Sequence, residues 1–263
     1  MSSNALTDAD KKYWEPLDPL TRWLVKKIPA DAKVLEVGPG FRPFLRATMF
    51  VDYRDLPNIP ENIKRTVDLN VDRLPFDDKS FDFVYCRHVI EDMYNPFNLI
   101  REMERVAKAG YIETPSPIAE LCRGVDGSSP PFRGYHHHRN IVWAYEGELR
   151  LIAKYPIIEY IRFTETDLTG WLREGPKHWN TYFLWEDKIK TKHIESGPDF
   201  VITRDYSSIL KNAMDQSVLS SGIFWLEIPE KVEINQGTLP SFTSTSIPAV
   251  IPLTPNQKEK IYG

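Results

Sequence analysis

The sequence predicts a doubly wound α/β fold with a mostly parallel central sheet. Three observations carry that expectation. Short β-branched or apolar runs at residues 33–37, 49–52, 65–69, 81–86 and 110–114 alternate with helical or loop-like stretches. Between the fourth and fifth runs, Pro96, Leu99, Ile100, Met103 and Val106 line one face at helical spacing, as a crossover helix requires. Two later strand-like runs, 180–185 and 189–194, are separated by Glu186-Asp187-Lys188 and predict an antiparallel hairpin closing the sheet, which makes seven strands in all.

Each segment has a reason. Residues 1–32 form a helical cover, because Leu17, Leu20, Leu24 and Ile28 recur at helical spacing after Asp18-Pro19, a cap followed by proline in the first turn. Residues 33–115 form the binding core, with Asn95-Pro96 opening its crossover helix. Residues 116–234 belong to the same domain. Their first part, 116–134, is rich in Pro, Gly and Ser, leads into His136-His137-His138, and predicts an insertion or lid. Residues 235–263, with prolines at 240, 248, 252 and 255 among Thr and Ser, predict an extension draped over the surface or poorly ordered.

The totals exclude several classes. A chain of 263 residues with 41% hydrophobic and 27% charged residues buries a core without disulfides. A formal net charge of −4 and no basic stripe with interleaved aromatics argue against a nucleic-acid partner. Cys86 and Cys122 have no CxxC spacing, which suits a reducing compartment, the cytoplasm by default. The opening residues lack a basic region followed by an apolar run, and no apolar run reaches membrane-spanning length, so neither secretion nor membrane insertion is expected. The oligomeric state is not legible.

The chemistry starts at residues 33–40, Lys-Val-Leu-Glu-Val-Gly-Pro-Gly. A nucleotide-type cofactor is held at the carboxyl ends of the strands of an open α/β sheet, where bare backbone must approach it. Gly38 and Gly40 meet that need, Pro39 stiffens the loop, and Glu36 sets a carboxylate at the end of its strand. Asp52 ends the second run, the position from which a carboxylate accepts hydrogen bonds from ribose hydroxyls, and Asp68 ends the third. A nicotinamide-dependent enzyme needs similar features, but GxGxxG is broken here by Gly38-Pro-Gly-Phe-Arg-Pro43.

The stretch from Leu74 to Asp92, Leu-Pro-Phe-Asp-Asp-Lys-Ser-Phe-Asp-Phe-Val-Tyr-Cys-Arg-His-Val-Ile-Glu-Asp, resembles the "LPF-DxSFDxV-xxHVLEH" run of class I S-adenosylmethionine-dependent methyltransferases, the small-molecule group called type 11. With Val34 to Gly40 and Tyr111-Ile-Glu-Thr-Pro115, the resemblance covers roughly residues 30–115. It implies a Rossmann-like sheet, S-adenosylmethionine as cofactor and S-adenosylhomocysteine as product. It also implies that Glu36, Gly38, Pro39 and Gly40 surround the methionyl end, Asp52 binds the ribose, and Asp68 and the Leu69 backbone face the adenine. Cys86, Arg87 and His88 would lie beside the sulfonium. Arg42 fills the family's third glycine position and is either a partner for the methionyl carboxylate or a solvated loop residue. Asp92 replaces the final histidine of the family run.

Methyl transfer from a sulfonium needs positioning above all, with a general base when the acceptor is a hydroxyl or a protonated amine. The candidates are His88, and His137 and His138 from the histidine run. In an extended run His136 and His138 share a side that His137 does not, and no neighbouring acidic or cysteine pattern completes a ligand set, so no metal is expected. Trp143, Tyr145, Trp171, Trp179, Tyr182, Phe183 and Trp185 either line an acceptor pocket or form core. The expected partner is a small-molecule or glycan-precursor acceptor. The competing readings are a catalytically silent cofactor-binding scaffold and, further off, a nicotinamide-dependent enzyme.

Overall fold

The computed structural model describes residues 18–40, 42–127, 131–194 and 198–229. The elements run α1 (Asp18–Lys27), β1 (Val34–Val37), β2 (Met49–Asp52), β3 (Lys64–Thr66), β4 (Phe81–Arg87), α2 (Pro96–Val106), β5 (Ala107–Pro115) and α3 (Pro117–Leu121). There follow β6 (Asn140–Tyr145), β7 (Glu148–Ala153), α4 (Glu165–Arg173), β8 (Asn180–Glu186), β9 (Thr191–His193) and α5 (Ile202–Leu226). Leu17, Phe41 and the extension 235–263 lie outside the described residues.

The central sheet is Rossmann-like, in the order β3-β2-β1-β4-β5-β8, parallel throughout except for β8, which runs antiparallel to β5. Among the described residues it has six strands where seven were expected. The expected hairpin does not form: β8 joins the sheet, but β9 leaves it to pair in parallel with β7. Asp187 is the cause of the separation. Its backbone is left-handed (φ 58°), Lys188 N–H donates back to the Glu186 carbonyl, and Asp187 N–H donates to the Lys108 carbonyl, so the chain is turned off the sheet at that residue. All three β9 residues are exposed, so the strand brings no apolar face that could cover the sheet edge. A second sheet, β6-β7-β9, is built on the hairpin of β6 and β7, whose turn residues Glu146 and Gly147 both have positive φ.

Alternation along the strands divides the core in two. Val34, Phe50, Tyr85, Tyr111 and Tyr182 face α1, whose Leu20, Trp23 and Leu24 pack on them with Ile28 just after the helix, and Phe224 and Trp225 of α5 lie beside them. Leu35, Val37, Val84, Cys86, Ile112 and Phe183 face the other way, against Leu99, Ile100, Met103 and Val106 of α2 and against β6 and β7. The cap of α2 is as expected: the Asn95 side chain accepts from Asn98 N–H, with proline at the first helical position.

Helices are fewer than the alternation suggested. Among the described residues, β1 and β2 are joined only by turns and bends. That connection is held by Arg46, a 2% exposed side chain whose guanidinium donates to the carbonyls of Val25, Ile28, Pro29 and Ala30 at the end of α1. A cation at a helix C-terminus satisfies the orphan carbonyls and the helix dipole together. Among the described residues no helix is long and apolar enough to cross a membrane.

Candidate functional site

The carboxyl ends of the parallel strands form one rim. At the end of β1, Glu36 is buried, and one oxygen accepts the Phe44 N–H at 2.7 Å. Burial pushes its carboxyl up to about 8, with Asp52 adding to the rise while the Phe44 hydrogen bond and Arg87 oppose it. Asp52, at the end of β2, is also buried, and its Oδ1 accepts the Arg54 N–H at 3.0 Å. Gly38 and Gly40 both take left-handed backbone. Arg42 is partly buried, and its N–H donates to the Pro39 carbonyl.

Asp68 is exposed in the turn after β3, its Oδ1 accepting the Asn70 N–H, while the Leu69 side chain is buried and the Leu69 carbonyl lies 3.5 Å from Asn98 Nδ2. Val67 N–H donates to the Asp52 carbonyl, so this turn begins beside Asp52. Cys86 is fully buried in the apolar core, which holds its thiol well above the ordinary value. Its thiol packs into the core, and what Cys86 can offer a ligand at the rim is backbone. Arg87 turns the other way and pairs with buried Glu113, Nε to Oε1 at 3.2 Å. Glu113 also accepts from Tyr111 Oη and Asn180 Nδ2, each at 2.7 Å.

His88 follows β4 in left-handed backbone (φ 54°), with its N–H donated to the Glu113 carbonyl. A non-glycine residue held so is characteristic of a site in which surroundings over-determine the chain. His88 Nδ1 lies 3.2 Å from Glu91 Oε1. Among the described residues, His88 Nε2 and Glu91 Oε2 are buried without a hydrogen-bond partner. Burial, reinforced by Arg87, holds His88 well below its ordinary value, and burial pushes Glu91 up to about 8.

The segment after β5 folds onto this rim. Ser116 caps α3 by accepting the Ala119 N–H, and α3 is buried throughout. Gly134 (φ 57°) lies directly on Glu120, where any Cβ would overlap the Glu120 backbone and carboxylate, and this close approach brings the histidine run over α3. His138 Nδ1 lies 2.6 Å from Glu120 Oε1, and Lys154 Nζ donates to Glu120 Oε2 at 2.5 Å and to the Tyr135 carbonyl at 2.7 Å. His138 is buried and His137 half-exposed, and both face Asp92, with Nε2 to Oδ1 distances of 3.9 Å and 4.0 Å. His136 instead contacts Asp126. The run is therefore not a simple extended strand in which His137 points away alone.

The predicted residues thus fall into two adjoining groups. Glu36, Gly38, Pro39, Gly40, Arg42, Asp52, Asp68 and Leu69 border the ends of β1 to β3. His88, His137 and His138 gather beyond the end of β4 with Asp92 and Glu91. Glu113, Glu120 and Lys154 were missed. Glu113 was in view within Tyr-Ile-Glu-Thr-Pro, whereas Glu120 meets His138 across 18 residues and Lys154 across 34, which leaves no local signal. Of the aromatics, Trp143, Trp179, Tyr182, Phe183 and Trp185 are buried in the core clusters. A separate cleft of about 790 Å³, lined by Lys33, Thr48, Met49, Leu74, Phe76 and Phe81, opens at the amino ends of β1, β2 and β4, away from this rim.

Two features bear on a nucleotide cofactor. Among the described residues a Cβ on Gly40 would meet nothing within 4 Å, and His88 Nε2, 4.0 Å from Glu113 Oε1, and Glu91 Oε2 are buried polar atoms without a hydrogen-bond partner. Against a dinucleotide, no helix follows Gly40 among the described residues, so a pyrophosphate has no helix N-terminus to sit on.

Residues 51–112 match the methyltransferase domain family. The stretch from Leu74 to Asp92 lies inside that match, and the resemblance read from it is borne out there. Similar solved structures include the [4+2]-cyclase SpnF (21% identity, 37% of this chain and 44% of that one, TM-score 0.29). Others are a methyltransferase dependent on S-adenosylmethionine from Aquifex aeolicus (16%, 43% and 75%, 0.31) and one from Mesorhizobium loti (14%, 78% and 79%, 0.32). The chain spans about half the length of several structures it matches, 51%, 44% and 61% in three cases. No curated protein matches it.

Proposed function

From a chain whose residues 51–112 are methyltransferase-like, we propose an enzyme that moves a methyl group from S-adenosylmethionine to an oxygen or nitrogen of a small-molecule or glycan-precursor acceptor in the cytoplasm. The observation that carries this reading is the meeting of Glu36 and Asp52 at neighbouring strand ends beside Gly38-Pro39-Gly40.

On this reading Asp52 accepts hydrogen bonds from the ribose hydroxyls, and Asp68 with the Leu69 backbone borders the adenine. Glu36, Pro39, Gly40 and Arg42 hold the methionyl end, where the guanidinium suits a carboxylate and the buried carboxyl of Glu36 suits an ammonium. The bound cofactor supplies an electrophilic methyl group on a sulfonium that leaves as a neutral thioether, so neither a covalent enzyme intermediate nor an oxyanion hole is needed. Arg87, committed to Glu113, fixes the wall between the cofactor side and the acceptor side. His88 Nε2, buried and without a hydrogen-bond partner among the described residues, orients the acceptor and takes its proton. His137 and His138 complete the acceptor side.

Calorimetry of the full chain with S-adenosylmethionine and with S-adenosylhomocysteine tests the reading, which expects binding of both. Binding of neither overturns it. A mass-spectrometric search of a metabolite extract for products one methyl heavier then identifies the acceptor. Cofactor binding with no methylated product would favour the silent scaffold.

A further inference from the structure

We propose that Asp92, His137 and His138 form a binding site for a divalent transition metal of the zinc type. One ligand atom from each residue, the carboxylate oxygen and two ring nitrogens, lies within 4.8 Å of the others. Two imidazoles and a carboxylate suit zinc and its first-row neighbours, and three protein ligands leave a fourth position open. Tetrahedral bonds of about 2.0–2.1 Å space ligand atoms about 3.3 Å apart, so the Asp92 distances of 3.9 Å and 4.0 Å need to close by only roughly 0.6–0.7 Å. Asp92 and His137 are partly exposed and can rotate to do so.

The surroundings are those of a ligand set held in advance. His138, 6% exposed, has its Nδ1 on the Glu120 carboxylate, which leaves Nε2 directed at Asp92, the arrangement in which an outer carboxylate fixes the tautomer of a metal-bound histidine. Glu120 is itself anchored by Lys154. The turn carrying Asp92 is tied to the histidine segment: Arg139 N–H donates to the Glu91 carbonyl, and Asn140 Nδ2 donates to the Met93 carbonyl, both at 2.8 Å. Glu91 Oε2, next to Asp92, is 1% exposed as a residue and has no hydrogen-bond partner among the described residues. A second grouping, Asp126 with His136 and His137, shares His137, but its histidines are 61% and 54% exposed, and among the described residues no further carboxylate pairs with them beyond Asp92 and Asp126.

The lack of a neighbouring acidic residue in sequence argued against a metal. The fold supplies Asp92 from 45 residues upstream of His137, at the position where the related family has a histidine. A metal here would offer its open position to a hydroxyl oxygen of the acceptor and lower its pKa, a role which, unlike the site itself, rests on the methyl-transfer reading.

The test is calorimetry of the full chain with zinc sulfate and absorption spectroscopy with cobalt(II), both without the methyl donor, with S-adenosylhomocysteine binding measured separately. The expected result is one metal equivalent per chain and visible cobalt bands of four-coordinate intensity. Asp92→Asn and His137→Ala should each abolish both signals, and Glu120→Gln should weaken zinc binding about 10- to 100-fold. Circular dichroism melts identify any variant that fails to fold; because His137 belongs to both groupings, Asp126→Asn, which should keep both signals, is the variant that decides if Asp92→Asn does not fold. No binding by the wild-type chain overturns the proposal. So does binding that survives Asp92→Asn but is lost in Asp126→Asn, because the metal then sits on the exposed grouping. Either outcome leaves the S-adenosylhomocysteine result, and the reading it tests, untouched.

Discussion

Gly38 and Val89 are packed so closely that a methyl group on Gly38 would overlap Val89 Cγ2, and Gly38 is held at φ +68°. The loop after β1 and the turn after β4 are therefore one unit, although 51 residues separate them in sequence. Gly38→Ala should cost about 1–2 kcal/mol for the left-handed backbone and about 1–3 kcal/mol more for the overlap. In a Val89→Ala background only the backbone share should remain. Urea denaturation of the four-member cycle measures this, and strict additivity would show that the two residues do not touch.

Asp52 should be separable from folding. Its Oδ1 closes a local turn on Arg54 N–H, but its larger role in the reading above is toward a ribose. Asp52→Ala should keep its melting temperature within a few degrees and weaken S-adenosylhomocysteine binding by about 1.5–3 kcal/mol, the usual range for a hydrogen bond to a charged group. Unchanged affinity by calorimetry would show that the ribose partner is another residue.

The parts of this molecule that were legible in sequence are those whose cause is local. Strand runs that alternate sides, Asn95-Pro96 before a helical stripe, and Gly38-Pro39-Gly40 after a buried strand each announce themselves within a few residues. The hairpin expected at 180–194 failed because a three-residue turn signal cannot reveal that Asp187 is turned aside by the Lys108 carbonyl from a neighbouring strand. The hairpin of β6 and β7 is not legible from alternation, although Tyr-Glu-Gly-Glu marks its turn, because the middle of β6 is buried on both faces. In the site, Glu36 and Asp52 could be placed by their strand ends. The cluster of Asp92, Glu120, His138 and Lys154 could not, since its members come from four segments joined only by the folding of the chain.

Arg46 is an expected stability determinant outside the sheet. It bridges the turn before β2 to four carbonyls at the end of α1. Arg46→Met keeps the apolar stem but leaves buried carbonyls without donors, so it should cost about 3 kcal/mol. Arg46→Lys should fall between the two, because a single ammonium cannot fork toward several acceptors. The urea midpoint reads both, and a neutral Arg46→Met would mean that water serves those carbonyls equally well.

His88→Ala should separate chemistry from cofactor binding. If Nε2 orients the acceptor and takes its proton, kcat falls about 10²- to 10⁴-fold with S-adenosylhomocysteine affinity retained. His88→Asn, which tolerates the left-handed backbone at this position, controls for strain. A loss of cofactor affinity matching the loss of rate would make His88 part of the cofactor wall.

Glu36 should make stability fall as pH rises. Its folded carboxyl sits at about 8 against an ordinary 4.5, chiefly through burial, so between those values the folded chain binds a proton that the unfolded chain has lost. The slope of unfolding free energy with pH is then negative. The contribution is complete below about pH 4.5 and is lost as pH rises through 8, for a total of a few kcal/mol. Glu36→Gln removes the titrating proton, so the variant should gain on wild type as pH rises from about 4.5 to about 8 and keep that gain, unchanged, above it. A cationic ligand beside Glu36 would favour the ionised form. S-adenosylmethionine binding near pH 7 should therefore release protons, seen as a dependence of the calorimetric enthalpy on buffer ionisation heat that Glu36→Gln abolishes. An enthalpy independent of buffer in the wild type would mean that the cation of the cofactor lies elsewhere.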